Sequence, residues 1–210
     1  MRSIITISRQ FGSCGHDIGK LVAEKFGIPF YGKEIITLAA KERGYAPEVF
    51  EKADEVATNS FLYAISTGAF MMNNIYSTSH VMPLNDQLYI AQSNVIKDLA
   101  AQGPCVIIGR CADSILGNLP ETVSVFIYAD MDYRIKNTME KDGLSENEAR
   151  DTIIKNDKKR ANYYNYYSDK KWNDMESHDL LINSAKVGTE GAAKIIYDFV
   201  LEREKFKFGK

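Results

Sequence analysis

Short continuous apolar runs alternate along this chain with longer segments in which apolar residues recur every three or four positions. Runs of the first kind are typical of buried parallel strands, and the second spacing is typical of amphipathic helices. We therefore predict an α/β fold with a mostly parallel sheet and helices on both faces. The predicted strands are "SIITIS", "IPFYG", "GPCVIIG", "TVSVFIYA" and "DLLINS".

Glycines and polar caps predict the helix ends. Gly27 follows the apolar face of the first helix, and Gly44 follows that of the second. Ser145 and Glu148 have the spacing of a capping box, which begins a further helix. The predicted helices are 18–26, 33–43, 87–102, 145–164 and 191–205. Residues 46–85 show no clean period, and we interpret them as helices with a mobile segment.

Composition excludes several classes of protein. The 210 residues are 45% hydrophobic and 26% charged, as in a globular domain, and the net charge of −2 gives nucleic-acid binding no support. No segment approaches the roughly 20 apolar residues of a membrane span. Three cysteines without CxxC spacing argue against a disulfide framework or a zinc site. We expect a cytoplasmic protein that binds neither nucleic acid nor membrane.

The segment "ISRQFGSCGHDIGK" joins the first strand to the first helix. Backbone N–H groups at a helix start attract anions, and Gly12 and Gly15 would let the backbone curl around a phosphate. A plain tight turn is the alternative, and this segment alone leaves both open. The pattern G-x-x-x-x-G-K-[ST] fails at Lys20, because Cys14 and Leu21 stand where glycine and Ser or Thr are required. We predict that Lys20 is a solvated helix residue.

Charged residues beside this loop suggest substitutes for the missing lysine. Arg9 could supply its charge, and His16 could donate to a phosphate. Asp17 could help to hold Mg²⁺, although a carboxylate in the first helical turn is also an ordinary choice. Cys14 at the helix start would have a lowered thiol pKa, which leaves a cysteine-based enzyme as a weaker alternative.

Three segments, in this order and spacing, point to a known family. They are "ITISRQFGSCGHDIGKLVAEKFGIPFY", "AAQGPCVIIGRCADSIL" and "VFIYADMDYRIKNTMEKDGLSENEARDTIIKNDKKRANYYNYYSDKKW" followed by "DLLINSAKVG". Together they resemble the cytidylate kinase-like family, within the P-loop nucleoside monophosphate kinases. The resemblance implies a three-layer P-loop NTPase-type fold in a single domain, 1–210. It also implies a five-stranded parallel sheet, a helical acceptor-binding insert at about 46–85 and a lid at about 131–168.

The resemblance also implies roles for particular residues. ATP and Mg²⁺ would be required, with Asp17 as the candidate metal ligand. Arg110 and Asp113 would bind the acceptor. The lid would contribute Arg134, Asp157 and Arg160 to catalysis. The resemblance and the chemistry of the loop together predict that the donor phosphates bind to Arg9, Gly12, Ser13, Cys14, Gly15, His16 and Asp17.

Departures from the family pattern leave alternatives. Gly15 stands at the position of the P-loop lysine, Cys14 replaces a glycine, and Gly32 stands where an aspartate is usual. The leading hypothesis is ATP-dependent phosphoryl transfer to a nucleoside monophosphate, and CMP and dCMP are the first candidates for the acceptor. A nucleotide-binding or sensing protein with little catalysis, and a kinase for a non-nucleotide acceptor, are the alternatives. Tyrosine-rich helices are compatible with a homodimer.

Overall fold

Five parallel strands form the sheet, in the order β2-β3-β1-β4-β5. The computed structural model describes residues 1–42 and 84–209, and the elements are numbered within that part. These residues belong to two compact units, Met1–Gly32 with Lys97–Lys210, and Lys33–Ile96. The strands are β1 (Ile4–Arg9), β2 (Phe30–Tyr31), β3 (Val106–Ile108), β4 (Thr122–Tyr128) and β5 (Leu180–Asn183).

Four of the five predicted helices begin and end within three residues of their predicted positions, and the structure adds helices at 112–115 and 131–142. The predicted insert at 46–85 lies outside the described residues, except for its last two positions. Gly44, the predicted end of the second helix, also lies outside them. In the described part of the chain, no helix is both long and apolar enough to cross a membrane. The helices are α1 (Gly15–Phe26), α2 (Glu34–Glu42), α3 (Leu84–Ala101), α4 (Ala112–Ile115), α5 (Met131–Asp142), α6 (Glu146–Tyr167), a 3₁₀ turn (Met175–Ser177) and α7 (Ser184–Phe208).

Successive side chains of β4 point to opposite faces of the sheet, as the two-residue period of a strand requires. Val125 and Ile127 are fully buried in the core that the sheet forms with α1 and α7. Phe126 points to the other face, where its ring packs against Trp172 and His178. Both faces of the sheet are thus covered, which explains why the strands are continuous apolar runs.

Helix ends follow local capping chemistry. The capping box is present, with the Ser145 N–H donating to the Glu148 carboxylate at 2.9 Å. The last helix, α7, begins seven residues earlier than predicted. Its cap is Asn183, whose side chain accepts from the Ala185 N–H at 3.0 Å, and the helix continues through a kink at Gly188. Glycines near its start concealed this cap from the periodicity.

Two loops meet at the carboxyl edge of the sheet because β1 and β3 are neighbours. The Gly109 N–H donates to the Ile7 carbonyl at 3.0 Å, which holds the turn after β3 against the end of β1. Ligands of such sheets bind outside the carboxyl ends of the strands.

Candidate active site

The loop between β1 and α1 has the backbone geometry of an anion nest. Gly12 (φ +76°) and Cys14 (φ +58°) are left-handed and flank Ser13, which is not. The carbonyls of this loop are held by the protein: Asn137 donates to that of Gly12 at 3.0 Å and Ser184 to that of Ser13 at 2.8 Å. The first N–H groups of α1 have no partner within the helix. This geometry favours the phosphate interpretation over a plain turn.

Gly12 lies so close to α5 that no side chain fits. A Cβ at Gly12 would lie 2.7 Å from the Arg134 carbonyl oxygen and 2.9 Å from the Thr138 hydroxyl. Neither neighbour can withdraw easily, because the Thr138 hydroxyl also donates to the Arg134 carbonyl at 2.8 Å. The loop is thus packed directly on the predicted lid.

We expect Gly12→Ala to destabilise the protein by about 2–4 kcal/mol, the sum of a left-handed alanine and overpacking. Gly27→Ala is a matched control, because Gly27 also has a positive φ (+64°) but no atom lies within 4 Å of its added Cβ. It should cost about 1 kcal/mol. Urea unfolding of both variants measures the difference, and equal losses would contradict the close contact.

Three arginines meet beside this loop. The Arg160 guanidinium donates to the Arg9 carbonyl at 3.0 Å and lies 5.4 Å from the centroid of the Phe11 ring. Burial, then repulsion from Arg160 and Arg110, lowers the pKa of Arg9 well below its usual value. Burial, with repulsion from Arg110, likewise lowers the pKa of Arg160, although Asp157 opposes this shift. Such a concentration of positive charge favours binding of an anion.

The turn after β3 is left-handed over three consecutive residues, Gly109 (φ +71°), Arg110 (φ +59°) and Cys111 (φ +55°). This conformation costs a non-glycine residue about 1–2 kcal/mol. Strain of this kind persists where the surroundings fix the backbone, and it is concentrated at functional sites. Arg110 is thus held on a strained turn beside Arg9 and Arg160.

Arg134, which is buried, forms an ion pair with the partly buried Asp157. Asp157 also accepts from the Phe11 N–H at 2.7 Å, and Arg134 donates to the Phe11 carbonyl at 3.4 Å. Both side chains therefore bind the backbone of the loop. These contacts hold the loop in place, and the catalytic role of Arg134 and Asp157 stays a prediction of the resemblance.

Asp113 is buried, with 3% of its surface exposed. Its carboxylate accepts a hydrogen bond from the Tyr164 hydroxyl and lies 4.0 Å from His178 Nδ1. These contacts attach α6 to α4. They show that Asp113 has structural contacts, and its contact with the acceptor stays a prediction of the resemblance. Sequence reasoning missed Tyr164, His178 and Ser124 as members of this network.

His178 joins two parts of this network. Its Nε2 donates to the Trp172 carbonyl (3.2 Å), which can only accept, and in the neutral ring its Nδ1 accepts from the Ser124 hydroxyl (2.8 Å). Burial lowers the pKa of His178, and Lys170 adds to this shift. The Trp172 carbonyl, Asp113 and Asp179 oppose this shift, and each has a smaller effect than burial.

We expect the unfolding free energy to fall as the pH drops below about 6.5, the ordinary pKa of histidine. Below that pH the unfolded chain binds a proton that folded His178 does not bind. The contribution of His178 to the unfolding free energy is therefore complete above that pH and is lost below it, by at most about 1.4 kcal/mol per pH unit. Urea unfolding at a series of pH values measures this slope. His178→Gln should flatten it, and His16→Gln is the surface control. An unchanged slope in His178→Gln would contradict the assignment.

The remaining predicted residues of the first helical turn are more exposed. The Asp17 carboxylate, 49% exposed, lies 3.5 Å from both Lys141 Nζ and His16 Nδ1. The His16 ring packs edge-to-face on Phe30. Lys20 is exposed as predicted. Among the described residues, no three His, Cys, Asp or Glu side chains are grouped so that they could hold a metal.

The cysteines give a cysteine-based enzyme no support. All three are free thiols. The expectation of a lowered pKa at Cys14 is wrong, because burial raises the pKa of that thiol despite its place at the helix start. Burial also raises the pKa of Cys105 to about 11 and that of Cys111 further.

Comparison with known proteins identifies the family. The model of the cytidylate kinase-like family matches residues 4–186, and the chain belongs to that family. A cytidylate kinase of Staphylothermus marinus is 30% identical over 108 residues, which cover 51% of this chain and 58% of that protein. The match thus spans less than two thirds of the length of this relative.

Solved structures agree on the fold. An uncharacterized protein from Eubacterium ventriosum is 31% identical, with a TM-score of 0.70 over 95% of this chain and 98% of its own. A shikimate kinase from Bacteroides thetaiotaomicron is 13% identical, with a TM-score of 0.56 over 96% of this chain and 99% of its own. The predicted P-loop kinase-type fold, a five-stranded parallel sheet flanked by helices, is confirmed. The chain is thus cytidylate kinase-like in family and P-loop kinase-type in fold.

Proposed function

We propose that this protein transfers the γ-phosphoryl group of ATP to a nucleoside monophosphate, with CMP or dCMP as the first candidates. The observation that carries the proposal is the meeting of Arg9, Arg110 and Arg160 beside the nest formed by Gly12 and Cys14. Phosphoryl transfer depends on positioning and charge neutralisation, which this arrangement can supply. The family membership and the similarity to a cytidylate kinase favour a nucleotide acceptor.

In the proposed reaction, an oxygen of the acceptor phosphate bonds to the γ-phosphorus of ATP. The bond from that phosphorus to the β,γ-bridging oxygen breaks, which gives ADP and a nucleoside diphosphate. The nest would hold the donor phosphates, Arg110 the acceptor phosphate, and Arg160 the group in transfer. Mg²⁺, when bound, would neutralise charge on the donor phosphates. The half-exposed Asp17 fits a metal held mostly by phosphate oxygens and water.

Release of ADP from ATP and Mg²⁺ tests the proposal, with CMP, dCMP, UMP, AMP, GMP and shikimate supplied separately as acceptors. We expect the highest kcat/KM for CMP or dCMP. Turnover of shikimate alone would favour a kinase for a non-nucleotide acceptor. Binding of ATP by calorimetry without turnover would favour a nucleotide sensor, the alternative that the glycine at the lysine position suggests.

A further inference from the structure

A cation and a glycine have exchanged places around this loop. When the pattern G-x-x-x-x-G-K-[ST] is aligned so that its lysine falls on Gly15, its first glycine falls on Arg9. The chain therefore has glycine where the pattern requires lysine, and arginine where it requires glycine. One difference removes a positive charge from the helix start, and the other adds one at the end of β1.

The two exchanged positions are in contact. A Cβ at Gly15 would lie 2.5 Å from the Cβ of Arg9 and 2.9 Å from its Cγ. A separation under 3 Å is too short for two carbon atoms, so a side chain at position 15 and the present Arg9 side chain exclude each other. The absence of a lysine at position 15 is thus coupled to the presence of Arg9, because Arg9 fills the space into which a side chain at position 15 would project.

The Arg9 guanidinium reaches the second loop of the site. Its Nη1 fills the space in which a Cβ of Gly109 would lie, directly before Arg110. Arg9 therefore extends from the phosphate loop, where its Cβ faces Gly15, to the turn that carries the predicted acceptor arginine. Burial, and then repulsion from Arg160 and Arg110, lowers the pKa of Arg9, and a bound phosphate would relieve this repulsion.

We propose that Arg9 supplies, from the end of β1, the positive charge that a lysine at the start of α1 supplies in the standard loop, and that Arg9 and Gly15 act as one unit. Its ligand is the polyphosphate of a nucleoside triphosphate, so the inference rests on the proposed function. Arg9 forms no covalent bond and transfers no proton. It neutralises charge on the phosphate oxygens between the donor and acceptor loops.

Four variants test the exchange: Arg9→Gly, Gly15→Lys, and Arg9→Gly combined with either Gly15→Lys or Gly15→Met. Binding of ATP with Mg²⁺ and of tripolyphosphate is measured by calorimetry, and turnover in the ADP assay. Each single variant should lose about 10²-fold in affinity or kcat/KM. Arg9→Gly lacks the cation, and Gly15→Lys has no room for the lysine beside Arg9. The lysine double variant should recover at least about tenfold relative to both singles. The methionine double variant, which fills the same space without charge, should not recover.

Several results would overturn the inference: wild-type affinity in Arg9→Gly, equal recovery with lysine and methionine, or no recovery with lysine. If thermal melting shows that Arg9→Gly does not fold, Arg9→Gln alone tests the loss of the cation, and wild-type affinity in that variant would overturn the inference; it is not combined with Gly15→Lys, because glutamine keeps the Cβ and Cγ that exclude a side chain at position 15. Arg150→Ala, which removes an exposed arginine of α6, is the control and should match the wild type. If the wild-type protein binds ATP but phosphorylates no acceptor, the proposed function fails while the affinities still decide the role of Arg9. If it binds neither ATP nor tripolyphosphate, both fail.

Discussion

Arg110→Ala is expected to lower kcat/KM by about 10³-fold while the protein remains folded. The reason is electrostatic, because Arg110 lies on the strained turn after β3, beside Arg9 and Arg160. In phosphoryl transfer, loss of one preorganised positive group costs about 10²–10³-fold in rate, and more where the group also binds the acceptor. The ADP assay at several acceptor concentrations separates the change in kcat from that in KM.

Two further variants make the Arg110 result specific. Arg110→Lys keeps the charge but loses the planar fork that binds phosphate through two hydrogen bonds, so we expect it to recover only part of the loss. Arg150→Ala should match the wild type, because its side chain is 44% exposed and pairs at 3.9 Å with Glu146 on the same helix. Full activity of Arg110→Ala would remove the acceptor-phosphate role.

The elements that sequence predicted well are those that depend on neighbouring residues. The first strand, predicted over 3–8 and found at Ile4–Arg9, and the capping box of Ser145 and Glu148 follow from local patterns. The resemblance supplied the fold and the residues to compare. Lys20 was predicted to be a solvated helix residue from its spacing alone, and it is exposed.

The contacts that sequence could not predict join distant residues. The Phe11 N–H binds Asp157, 146 positions later, and the Tyr164 hydroxyl binds Asp113, 51 positions earlier. No local period marks such a pair, so the sequence could not predict these contacts; the acceptor-binding role of Asp113 and the catalytic role of Asp157 stay predictions of the resemblance. Likewise, only the folded chain places Arg9 against Gly15.

Asp157→Ala is expected to lower the unfolding free energy by about 3 kcal/mol, the low end of the cost of removing one partner from a buried ion pair, because Asp157 is only partly buried. The change leaves the Arg134 cation, whose side chain is 7% exposed, without its carboxylate. It also removes the acceptor of the Phe11 N–H, which is bound at 2.7 Å. Urea unfolding measures the loss, and Asp151→Ala, at an exposed position of the same helix, should change stability by no more than about 0.5 kcal/mol.

A second pair of variants separates the charge of Asp157 from its hydrogen bond to the loop. Asp157→Asn keeps an oxygen for the Phe11 N–H but loses the negative charge, so its loss should lie between those of the wild type and Asp157→Ala. Arg134→Met with Asp157→Leu removes both charges and should be less destabilised than Asp157→Ala, because no unpaired cation remains buried. If Asp157→Ala is as stable as the wild type but loses turnover, Asp157 acts on the substrate, as the family resemblance implied. If both stability and turnover fall, its role is to hold the phosphate loop against the lid.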